Sequence, residues 1–188
     1  MPDEITSEAR RHTLSVLVDN SAGVLSQVSR LFSRKGYNIE SLAVGPTDTD
    51  CISRITIEVL ADSRQATLLC NQLRKLLPVH SVKLLEPKSV LRRELVIIKV
   101  KAANTDIRNE IIQIVNIFRG QIIDVSSTTL TVSLIGEEQK TEAMRALLRE
   151  FGIIELVRTG MIALERGHRT IDEDTKEKGE FDYGKNVL

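Results

Sequence analysis

Apolar residues along this chain recur in two rhythms, and the order of the rhythms repeats. Residues 12–18 alternate, with Leu14, Val16 and Val18 on one side, as a half-buried strand requires. The spacing then changes. Val24, Leu25, Val28, Leu31 and Phe32 recur every three or four residues and predict a helix over 23–35 that Gly36 stops. Strands follow over 38–44 and 52–60, the second alternating Ile55, Ile57 and Val59 with Arg54, Thr56 and Glu58. Gly45, Pro46, Thr47 and Asp48 between them read as turn residues. Ala66, Leu69, Leu73 and Leu76 stripe a second helix that ends before Pro78, and residues 79–86 form a fourth strand.

The second half replays this order. Residues 94–101 form a strand rich in Leu, Val and Ile, and Ile107, Ile111, Ile114, Val115 and Phe118 stripe a helix ended by Gly120. Two strands over 121–127 and 130–135 precede a helix carrying Met144, Leu147, Leu148 and Phe151. A last strand over 153–165 is interrupted near Gly160. The fold class is therefore α+β, with two tandem ferredoxin-like βαββαβ domains at 11–86 and 94–166. Each has a four-stranded antiparallel sheet with two helices on one face. A short basic linker, 87–93, joins them, and the charged segment 167–188 is expected to be a disordered tail. Domains this small bury only roughly 60 % of their chain surface, and open sheets leave edge strands. Both points predict a homodimer or a larger assembly.

Composition narrows the function. The chain has 188 residues, with 26 basic against 26 acidic, so it lacks the basic excess of a nucleic-acid binder. No apolar run approaches the roughly 20 residues that a bilayer helix needs. The acidic start Met1-Pro2-Asp3-Glu4 is unlike a secretory signal, so a cytoplasmic protein is expected. Cys51 and Cys70 are too few for a disulfide framework and read as two buried thiols. His12 and His80 open the first and fourth strands, but no Asp or Cys joins them at ligand spacing, so no metal site is expected. Arg92, Arg93, Glu137 and Glu138 read as solvated charge.

One phrase carries candidate chemistry: Asp19-Asn20-Ser21-Ala22-Gly23-Val24-Leu25, between the first strand and the first helix. Asn20 and Ser21 can cap the helix, Gly23 lets a ligand approach the backbone, and free N–H groups at a helix start favour a carboxylate. No nucleophile with a base lies nearby. The phrase suits holding a small anion such as an amino acid, and no catalytic residue is assigned.

These residues also carry a resemblance. Leu14-Ser15-Val16-Leu17-Val18, Asn20, Gly23-Val24-Leu25-Ser26, Gly36-Tyr37-Asn38-Ile39-Glu40-Ser41-Leu42 and Ser53-Arg54-Ile55-Thr56-Ile57 resemble the N-terminal ACT domain of acetolactate synthase small subunits. Phe118-Arg119-Gly120-Gln121-Ile122-Ile123-Asp124-Val125 is a second phrase of that family. The likeness runs from about Arg11 to Gly167, and makes the first domain an ACT domain.

The resemblance implies a regulatory subunit. The reaction would belong to a separate catalytic large subunit carrying thiamine diphosphate, Mg and FAD. This chain would activate that partner and confer feedback inhibition by valine or another branched-chain amino acid. It also implies an effector site between two copies: Asn20, Ala22, Gly23, Val24 and Leu25 of one chain would face Asn38 and Ile39 of the other. Gly45 stands where many members of the family have alanine, which leaves the preferred amino acid open. A stand-alone ACT-type regulator is the alternative. It would call for a basic helix-turn-helix segment, and none is apparent.

Overall fold

A computed structural model describes residues 9–171. Six elements make the first half: β1 (Arg10–Asp19), α1 (Val24–Lys35), β2 (Ile39–Pro46), β3 (Ile52–Ala61), α2 (Ser63–Leu73) and β4 (Val79–Leu85). Its strands pair antiparallel in the order β2-β3-β1-β4. Leu14, Val16 and Val18 of β1 and Ile55, Ile57 and Val59 of β3 meet Val24, Val28 and Phe32 of α1 and Leu69, Cys70 and Leu73 of α2 in one aliphatic core. Leu25, expected on the apolar stripe, is instead 43 % exposed. A reciprocal cap starts α2: Asp62 accepts the Gln65 N–H at 2.7 Å, and the Gln65 side chain accepts the Asp62 N–H at 3.0 Å.

The second half contains β5 (Val90–Lys101), α3 (Thr105–Ile117), β6 (Gln121–Val125), β7 (Thr129–Gly136), α4 (Glu138–Leu148), β8 (Ile153–Arg158) and β9 (Ile162–Glu165). Its sheet runs β6-β7-β5-β8, again antiparallel, with β9 pairing the start of β5. Val96, Ile98 and Val100 pack under Ile111, Val115, Met144 and Leu148. The fold is thus two tandem ferredoxin-like units, as the periodicity predicts.

The join between the units differs from the expectation of a free linker. Residues 90–93 are the first third of β5, and they pair with β9 in register Val90↔Glu165 to Arg93↔Ile162. The last strand breaks at Gly160, as expected, and the break frees β9 to make this two-stranded ribbon. The ribbon and the residues after it lie across the helix-free face of the first sheet. Ser41 Oγ accepts the Met161 N–H at 2.8 Å, Arg92 binds Glu58, and Lys83 meets Glu165 at 2.9 Å. Ser81 Oγ donates to the Ile171 carbonyl at 2.9 Å, and Ile171 is only 4 % exposed. A tail disordered from Gly167 is therefore corrected for 167–171, where burial of Ile171 and hydrogen bonds from β4 hold the chain. Residues 172–188 lie outside the described residues.

Among the described residues, the corresponding face of the second sheet has no such cover. Leu95 stands opposite Ile135, and Ile97 opposite Val157. Ile135 is 65 % and Val157 57 % exposed. Among the described residues no helix is long and apolar enough to cross a membrane.

Candidate functional site

The loop from β1 to α1 is pinned at both ends. The Asp19 N–H donates to the Pro78 carbonyl at 2.9 Å and the Asn20 N–H to the Cys51 carbonyl at 2.7 Å. Asp19 also meets His80 Nε2 at 2.6 Å. Asn20, Ser21, Ala22 and Gly23 are exposed, whereas Val24 is buried in the first core and anchors the helix start. The cap differs from the sequence expectation. Neither Asn20 nor Ser21 caps α1; its N-cap is Gly23, in the left-handed region at φ 86°, with no side-chain hydrogen bond. Glycine reaches that conformation without a Cβ clash. An uncapped start leaves first-turn N–H groups available to an anion, beside a glycine whose missing Cβ leaves open space.

Asn38 and Ile39 are elsewhere. Ile39 lies opposite Val59, and Val59 opposite His12 at the start of β1. The loop follows the other end of β1, roughly 20 Å away at strand spacing. One chain therefore does not bring the two groups of residues together. Asn38 is exposed and donates its amide N–H to Glu40 at 2.8 Å, while Ile39 half-buries against the first core. The same antiparallel geometry sends His12 and His80 to opposite ends of the sheet. Among the described residues no three His, Cys, Asp or Glu side chains gather as a metal site.

Two titratable groups of the first unit, His12 and Cys70, are buried. Burial, reinforced by Arg10, pushes the imidazole of His12 below its ordinary pKa, and its Nε2 is buried without a partner. Burial pushes the Cys70 thiol up to about 11, so it stays protonated. Cys51 corrects the pair of buried thiols: it is exposed, in the β2–β3 loop, at φ 67°.

Sequence reasoning missed an ionic seam between the units. Glu58 is 2 % exposed, although its alternation with Ile57 and Val59 assigns it to a solvent face. The Thr13 hydroxyl donates to it at 3.2 Å, Arg92 binds it, and Arg11 stands 3.9 Å away. Arg11 also binds Glu138, and Arg93 meets Glu137 at 2.9 Å. Arg92, Arg93, Glu137 and Glu138, read as solvated charge, are thus ion-pair partners. Glu94, 5 % exposed, accepts from the Thr141 hydroxyl and lies 3.5 Å from Arg158. Burial opposes ionisation of Glu142, but Arg145 and Arg158 outweigh it and hold that carboxyl below its usual range. Two adjacent apolar residues just after the break at Gly160, Met161 and Ile162, were the signal that the first sheet's polar face is covered.

Two tandem ferredoxin-like units, the first with an uncapped helix start after its first strand, define an ACT-domain protein. Residues 14–81 match a family model described as an AHAS small subunit-like ACT domain, and residues 93–167 one described as the small subunit of acetolactate synthase. Curated relatives agree over nearly their whole length. A probable acetolactate synthase small subunit of Methanothermobacter thermautotrophicus is 46 % identical over 167 residues, covering 89 % of this chain and 99 % of that one. The acetolactate synthase small subunit of Mycobacterium leprae is 46 % identical over 160 residues, covering 85 % and 94 %. The crystal structure of the small subunit from Thermotoga maritima superposes with a TM-score of 0.79 at 37 % identity, covering 85 % of this chain and 99 % of that chain. This chain belongs to the acetolactate synthase small subunit family.

Proposed function

We propose that this chain is the regulatory subunit of acetolactate synthase. It binds a catalytic large subunit, raises its activity, and makes it sensitive to valine or another branched-chain amino acid. Full-length membership of the small-subunit family is the observation that carries this reading. Thiamine diphosphate, Mg and FAD are assigned to the large subunit. The exposed loop of this chain presents N–H donors and no nucleophile–base pair.

The effector site is formed by two copies. Backbone N–H groups near Gly23, Val24 and Leu25 receive the carboxylate. Asn20, or Asn38 of a second chain, accepts from the ammonium. Leu25 and a second chain's Ile39 flank the branched side chain. The separation of these groups at opposite ends of one sheet supports this reading, because only a second copy can bring them together. The edge strand β2 supplies unpaired backbone groups for that association.

The decisive experiment measures acetolactate formation by a purified cognate large subunit with and without this chain, titrated with valine, leucine and isoleucine. Higher turnover with the chain, and inhibition that appears only in its presence, are expected. Robust acetolactate formation by the chain alone would overturn the assignment.

A further inference from the structure

Gly45 does not serve as a turn residue. It lies within β2, opposite Arg54, at an ordinary strand conformation, and a Cβ built there meets nothing within 4 Å. A glycine inside a strand marks a place where something approaches the backbone. What it opens onto is a groove of about 440 Å³ between the end of β2–β3 and the β5–β9 ribbon. Ala43, Gly45 and Pro46 form one wall, and Leu91, Ile162 and Leu164 the other. That volume falls within the roughly 300–1,000 Å³ of small-molecule sites.

The polar groups of the groove are unusual in sign. Arg54, Arg93 and Thr56 line it, and no Asp, Glu, Asn or Gln does. Arg93 is already neutralised by Glu137 at 2.9 Å. Arg54 has no recorded ion pair among the described residues, and its Nε is buried without a hydrogen-bond partner. A buried donor without an acceptor carries a desolvation penalty, so such an atom points to an acceptor that belongs beside it.

We propose that this groove binds a short aliphatic monocarboxylate, its carboxylate on Arg54 and its hydrocarbon end between Gly45 and the ribbon. A guanidinium matches a carboxylate in shape and charge. The lack of any acidic side chain disfavours an α-ammonium group, so the ligand class differs from that of the amino-acid site. None of the loop residues Asn20 to Leu25, nor Asn38 or Ile39, lines the groove, and the two sites are separable.

The test titrates the full-length, isotope-labelled chain with 3-methylbutanoate and follows backbone amide shifts. The same carbon skeleton as a neutral amide, 3-methylbutanamide, and with an added ammonium, valine, are the comparison ligands. Shifts from 3-methylbutanoate are expected at residues 43–45, 56 and 162–164, and not from the neutral amide. Valine should leave these residues unshifted. Arg54→Met should weaken binding about tenfold or more, the loss of a charged hydrogen bond, with Arg54→Lys intermediate. Gly45→Val, which fills the groove without meeting another atom at its Cβ, should abolish binding while α1 and α2 keep their native shifts. Gly23→Asp should leave it unchanged, which separates this site from the amino-acid site. No shift in the groove at about 10 mM ligand, or binding by Arg54→Met and Gly45→Val as tight as that of the parent chain, would overturn the proposal. So would a change in sedimentation on Gly45→Val with ligand binding intact, which would assign the groove to contact between copies.

Discussion

Gly23 has open space where a Cβ would stand, so a side chain there displaces no neighbouring atom of the chain and faces an incoming ligand. In Gly23→Asp the left-handed backbone adds strain of roughly 1–2 kcal/mol. The new carboxylate faces the proposed ligand carboxylate. Two charges ~4 Å apart repel by about 4 kcal/mol at an effective dielectric of 20. Half of that after screening by water still weakens binding about 30-fold. The reconstituted enzyme should remain activated but resist valine, and calorimetry should show the lost affinity. Gly23→Ala, with the strain but not the charge, should retain most of it. His12 makes a second prediction. Its folded pKa lies below the ordinary 6.5, so the fold favours the neutral ring. The associated stability is complete above pH 6.5 and declines as pH falls through the lower folded value. Urea midpoints at pH 7 and 5 should diverge less in His12→Leu than in the parent.

At the scale of elements, the β5–β9 ribbon decides more than its length suggests. It turns the helix-free side of the first sheet into a second interior. A Cβ at Gly160 would meet the Leu42 carbonyl oxygen at 2.7 Å, and the residue holds φ +80°. Gly160→Ala should therefore lift the turn from β2 and destabilise the chain by about 1–3 kcal/mol, read as a lower urea midpoint. Glu58→Ala should cost more, about 3–5 kcal/mol, because it strands the half-buried Arg92. The helices and strands were legible because each has one apolar side whose period differs between the two classes. The ribbon was not. Residues 90–93 are basic and follow Pro87, so they read as a linker, and only their pairing with a distant segment makes them a strand. Glu58 and Thr56 alternate with aliphatics as surface residues do; alternation reports two faces but not what covers the second. The loop at Asn20–Gly23 was visible as a phrase, whereas its cap was not, because the helix starts later than the polar residues suggest: Asn20 lies three residues before the N-cap, and Gly23 takes that position.

For the whole molecule, the edge of β2 and the apolar face with Ile135 and Val157, both uncovered among the described residues, are surfaces suited to a second copy. Sedimentation at micromolar concentration should show species well above 21.0 kDa and no major monomer. An effector-binding monomer would refute the two-chain site. The placement of Asn20–Leu25 and Asn38–Ile39 at opposite ends of one sheet has a genetic consequence. A twofold dimer holds two such sites, each drawing its loop from one copy and its strand start from the other. Co-express a chain carrying Gly23→Asp with one carrying Asn38→Ala. In the mixed dimer both lesions fall in the same site, and the other site is wild type throughout. Two alleles that each abolish feedback inhibition should thus complement one another, recovering valine sensitivity in a cell where neither works alone.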